Sequence, residues 1–155
     1  MLEGLDSIPW ASLTHAYGAA TDVPDLLRAL ASDEKAECDE AISELYGNIC
    51  HQGTVYEATA YAVPFLIELL DAPTVCCKAG IVGLLRHLAA GDSFLRAHQG
   101  MTFNHNRRKT EAFQSQMQRE VAGVQVAHVA VLAGLPVYLR LLAHADPGVR
   151  EMVPY

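Results

Sequence analysis

The chain has 155 residues, 51% of them hydrophobic, with a mean hydropathy of +0.13, a formal net charge of −7 and a pI near 5.4. That length makes one domain with a real core, and the acidic balance argues against general binding to nucleic acid or anionic membranes. No apolar run reaches the roughly 18 residues of a membrane span, and Met1–Asp6 lacks the basic stretch and apolar core of a signal peptide.

In chain order, Ser7-Ile8-Pro9-Trp10 opens an expected short helix over 7–18, with Ser7 or Ser12 as cap and Pro9 in the first turn. Asp22 is expected to cap a helix running through Leu30. Ser32 or Asp33 caps a longer one to about Ile49, whose apolar stripe is Cys38, Ala41, Ile42, Leu45 and Ile49. Gly53 stops that helix and Thr54 caps the next, which spans about Tyr56–Leu70 with Pro64 inside. After the turn Asp71–Thr74, a helix through Ala90 carries Val75, Ala79, Val82, Leu85 and Leu88 on one face and Ile81 and Leu84 on others. A helix apolar nearly all round belongs in a middle layer.

Beyond Gly91, His98-Gln99-Gly100 echoes His51-Gln52-Gly53, and the polar, basic stretch Asn104–Lys109 reads as a mobile insertion. A helix is expected from near Glu111 to about Ala133. Asp146-Pro147-Gly148-Val149-Arg150 opens a last one, too short to cover the apolar face of Leu139, Leu141 and Leu142. Either the natural chain is longer or another molecule covers that end, most simply a second copy meeting it through Leu139 and Leu142.

One motif recurs three times. Val23-Pro24-Asp25-Leu26-Leu27, Val63-Pro64-Phe65-Leu66-Ile67 and Leu135-Pro136-Val137-Tyr138-Leu139 each set a proline at the head of an apolar turn. Pro24 and Pro64 stand 40 residues apart, a paired-helix repeat spacing, and the insertion widens the next interval to 72. The expected architecture is all-α: a single domain over 1–155, with repeats at about 7–50, 55–91 and 111–155 and an insertion at about 92–110. These prolines, the period and Asp146-x-x-Val149-Arg150 resemble HEAT repeats. The string His51-Gln52-Gly53-Thr54 with Ala58-Thr59 and Val63-Pro64-Phe65-Leu66 looks like a group of actinobacterial HEAT-like proteins of unassigned activity. The resemblance implies an α-solenoid whose second helices line an inner surface, an Asp–Arg ladder between layers, and protein–protein scaffolding. Only the third unit carries both ladder residues, since Cys76 stands where unit two would have Arg.

Candidate sites are few. Glu37, Glu40 and Glu44 make an acidic row at helical spacing that either receives a basic partner or is a solvated face. With Lys78 and Arg86 in the next layer they form the expected partner surface. His51 and Gln52 extend it as a polar ridge, unless they serve only to cap helix-end carbonyls. Arg107-Arg108-Lys109, with Arg96 and Arg119, is the one basic cluster. The seven histidines include no HxxxH pair, and Cys38, Cys50, Cys76 and Cys77 show no CxxC spacing. No metal, cofactor or catalytic residue is expected, and the thiols read as reduced, in a cytoplasmic setting. The expected activity is binding a partner protein. Alternatives are an immunity or antitoxin protein that blocks a toxin and, less favoured by the acidic total, a HEAT-like nucleic-acid repair enzyme, which would need a basic concave groove.

Overall fold

A computed structural model describes residues 1–98 and 110–153. The molecule is mostly helical. Its helices are α1 (Val23–Ala29), α2 (Lys35–Asn48), α3 (Glu57–Asp71), α4 (Lys78–Ala90), the single turn α5 (Phe94–Ala97), the long α6 (Glu111–Ala133), α7 (Leu135–Leu141) and α8 (Pro147–Met152). The stretch Asn104–Lys109, read from sequence as mobile, lies outside the described residues, as do Gln99 and Gly100 of the second His-Gln-Gly.

Packing joins α1 to α2 and α3 to α4. It also joins α1 to α3 and α3 to α7, and α2 to α4 and α4 to α8. The three recurring prolines mark α1, α3 and α7: Pro24 and Pro136 sit in first turns, where no donor is lost, and Pro64 lies inside α3. The long α6 lies across α3 and α4. With neighbours on four helices, α4 buries Ile81, Val82, Leu84, Leu85 and Leu88, which is why its sequence is apolar nearly all round. The stripe of α2 is buried at Cys38, Ala41, Leu45 and Ile49 and half-buried at Ile42.

Residues 7–18 do not form a helix. Two 3-10 turns (Leu5–Ser7 and Trp10–Ser12) lead into a small antiparallel hairpin of β1 (Thr14–His15) and β2 (Gly18–Ala19). Local side-chain bonds divert the backbone: Ser12 Oγ donates to the Pro9 carbonyl at 2.8 Å, and His15 Nδ1 accepts from the Tyr17 N–H at 3.0 Å. Gly18 takes φ 128°, closed to other residues.

Asp22 does not cap α1. Its carboxylate accepts instead from His15 Nε2 at 2.8 Å and from the Asn48 amide, tying the hairpin to the end of α2. Because Nδ1 of His15 is an acceptor, the ring proton sits on Nε2 and points at Asp22. His15 and Asn48 are both buried. Asp22→Ala is therefore expected to lower stability by about 1–3 kcal/mol, the cost of stranding buried donors, with the urea unfolding midpoint as the measurement.

Capping at the other joints also differs in detail. Tyr56, not Thr54, precedes α3, and the wholly buried Thr59 Oγ1 accepts from the Tyr56 N–H and donates to the Ile49 carbonyl at the end of α2. Thr54 pairs as an isolated bridge with Asp92. Cys76 and Cys77 stand before α4, which begins at Lys78. Asp146 and Arg150 form no ladder. Asp146 accepts from the Gly148 N–H at the head of α8, and Arg150 donates to the carbonyls of His144 and Ala145. Arg140 of α7 instead pairs with Asp71 at the end of α3, at 2.5 Å.

Candidate functional site

A concavity runs beside α6. Four helical positions one turn apart, Gln116, Arg119/Glu120, Gly123 and Val126, form one wall. The hairpin residues Thr14 and Ala16, the start of α3 at Tyr56 and Glu57, and Phe94 of α5 close a lobe of about 400 Å³. A second lobe of about 390 Å³ continues over Leu13, Ala60, Tyr61 and Val126, sharing Glu57, Arg119 and Gly123 with the first. A side chain at Gly123 would meet no atom within 4 Å, so the glycine, costly inside a helix, keeps the cleft open.

The polar groups of the cleft are unequally engaged. Glu57 accepts from Thr14 Oγ1 at 3.0 Å. Glu120 accepts from the Leu95 N–H at 2.9 Å and from Gln116 at 3.0 Å. Burial, then the charges of nearby groups including Glu120, pushes the Tyr56 phenol up, so it stays a neutral donor. Arg119 has no hydrogen bond or ion pair among the described residues. The cleft therefore offers a ligand the unengaged Arg119 guanidinium beside the carboxylates of Glu57 and Glu120. Among the described residues no three His, Cys, Asp or Glu side chains are grouped to hold a metal ion.

From Val126 the cleft opens onto an apolar face. Val126, Val129 and Leu132 on α6 and Leu135, Leu139 and Leu142 on and beside α7 are each between 46% and 69% exposed. No Asp, Glu, Lys or Arg occurs from 121 to 139. Of the face expected from sequence, Leu139 and Leu142 are open to solvent. Leu141, expected uncovered, is buried within the chain, as is Tyr138, whose hydroxyl donates to the Val131 carbonyl. The short α8 packs on α4 instead, burying Val149, and leaves those leucines bare. No single described helix is long and apolar enough to cross a membrane; α6 and α7 reach that composition only as a pair bent by 47°.

The residues singled out from sequence are dispersed. Glu37, Glu40 and Glu44 are exposed along α2 and make no bond among the described residues. Arg86 is exposed on α4. Lys78 is no surface residue: it is 8% exposed, and its ammonium donates to the carbonyls of Leu70 and Ala72 at the end of α3. Burial pulls that ammonium down, with Asp71 acting against it. His51 is half-buried, its Nδ1 3.3 Å from the Tyr17 hydroxyl, while Gln52 is exposed in a left-handed conformation. Arg96 pairs with Asp92 at 3.4 Å, and Arg107, Arg108 and Lys109 of the expected basic cluster lie outside the described residues. The cleft was not found from sequence because its walls come from segments far apart in the chain. Its one local signal is a glycine amid an otherwise good helix.

Comparison with known protein families, curated proteins and solved structures finds no match to this chain.

Proposed function

We propose that this chain is a helical interaction module, a short HEAT-like solenoid that binds a partner protein along α6 and α7 and performs no chemistry of its own. The solenoid reading is supported by the layered packing, first helices on first helices and second on second, behind a repeated proline motif. The observation that carries the binding reading is the exposed apolar face of Val126, Val129, Leu132, Leu135, Leu139 and Leu142, most of it in the uncharged stretch 121–139. Contiguous apolar patches of several hundred Å² seldom stay wet, and covering them yields about 25 cal/mol per Å². The cleft adds a polar anchor at one end of that face, where Arg119 suits an acidic group on the partner. A cytoplasmic setting is part of this reading, since it suits four unpaired thiols.

A photo-crosslinking residue placed at Val129 in the full chain, in cells that produce it, tests the proposal. One protein species is expected in the adduct, lost when Leu132→Glu and Arg119→Glu are added, and absent when the crosslinker is moved to Glu40. A self-adduct would identify the partner as a second copy. No adduct at 129, or the same adducts from both positions, would remove the reading.

A further inference from the structure

Three of the chain's four cysteines meet at one joint, where the turn between α1 and α2 packs against the loop between α3 and α4. Cys38, on α2, is wholly buried, and its sulfur lies 3.3 Å from the Leu30 carbonyl and 3.6 Å from the Ser32 carbonyl. Cys76, in the second loop, is exposed; its sulfur is 3.6 Å from the same Ser32 carbonyl and 3.5 Å from the sulfur of Cys38. Cys77 is buried beside them, 3.8 Å from the Leu30 carbonyl. The fourth, Cys50, is buried at the far end of α2.

The pair is asymmetric. Burial raises the Cys38 and Cys77 thiols and keeps them protonated. Of the three, only Cys76 faces solvent. An accessible thiol with a second thiol in contact behind it is the arrangement of a reacting and a resolving cysteine. The sulfurs need to close from 3.5 Å to about 2.05 Å. Cys76 lies outside regular structure, where a loop adjusts at little cost.

We propose that Cys76 and Cys38 form a peroxide-sensitive modification site that closes to a reversible disulfide between the first and second helical pairs. The Cys76 thiolate attacks one oxygen of hydrogen peroxide, the O–O bond breaks, and hydroxide leaves, giving a sulfenic acid. The Cys38 sulfur then attacks the Cys76 sulfur; the S–O bond breaks, the S–S bond forms, and the Cys38 proton departs with the hydroxide as water. Two thiols and one peroxide yield one disulfide and two waters, and a dithiol reductant reverses the change. The bridge staples α2 to the head of α4, so the oxidised chain holds its first two units together where the reduced chain relies on packing alone.

The full chain is treated with hydrogen peroxide, alkylated and mapped by mass spectrometry without reduction. A Cys38–Cys76 linked peptide is expected, with free thiols in denaturant falling from four to two and the urea midpoint rising until dithiothreitol is added. Cys50→Ala and Cys77→Ala are expected to leave the link intact. Cys38→Ala should strand Cys76 as a sulfenic acid captured by dimedone, an adduct absent from the parent chain. Should that variant fail to fold, mapping of the unaltered chain decides alone. Four surviving thiols, a Cys38–Cys77 link, or Cys76 carried to sulfinic acid beside a free Cys38 would each overturn the proposal.

Discussion

Leu66→Ala is expected to lower the free energy of unfolding by about 2–5 kcal/mol, the range for a leucine removed from a packed core. Leu66 has no exposure to solvent, and Leu69 and Phe65 beside it on α3 are likewise buried. The helix that carries it is flanked by α1, α4, α6 and α7, so the space left by the lost atoms has little freedom to collapse. The urea midpoint of the purified protein measures the loss. Leu132→Ala is the internal control: that leucine is 69% exposed on α6, and its truncation should move the midpoint by no more than about 0.5 kcal/mol. Equal effects at the two positions would mean that α3 is not the central helix.

Trp10→Ala is expected to cost about 3–5 kcal/mol, although the residue lies in an irregular segment near the N-terminus. The ring is 5% exposed, and its Nε1 donates to the Leu5 carbonyl at 2.8 Å inside the core. The same segment is fastened elsewhere: the Leu2 N–H donates to Glu68 Oε1 at 2.8 Å, and Asp6 pairs with Arg28. Because Trp10 is the single tryptophan, its fluorescence follows unfolding of the parent chain and circular dichroism must follow the variant. A change below about 1 kcal/mol would mark residues 1–13 as a detachable arm rather than part of the core.

The two results bear on how the chain is read. Where periodicity is long, sequence and structure agree: α6 runs from Glu111 to Ala133 as its pattern implies, and the α2 stripe from Cys38 to Ile49 faces inward. A stripe of side chains at a 3.6-residue period is a local property, and nothing distant changes it. Residues 7–18 read as a helix because Pro9 and two serines supply starting signals. Those signals are equally those of turns, and the choice is made by Trp10 finding the Leu5 carbonyl and by His15 finding Asp22, neither visible as a spacing. From sequence Lys78 groups with the surface charges, as lysine usually does. Its placement depends on the carbonyls at the end of α3, which only the α3–α4 turn brings within reach. Intervals between cysteines in the sequence do not show this joint, because Cys38 and Cys76 meet through packing of α2 on α4.

The position of α6 also bears on how the chain is made. Its inner residues Val124, Ala127 and Val131 are buried, and the helices it rests on, α3 and α4, both precede it in the sequence. A growing chain leaves the ribosome N-terminus first, at about 5–20 residues per second. The seat for α6 is therefore translated before the uncharged stretch from 121 to 139 emerges. A segment of that composition has a template to settle on as it appears, rather than waiting exposed for one still to be synthesised. An order of genes or exons that placed α6 ahead of α3 would forfeit that protection while leaving every contact of the finished molecule unchanged.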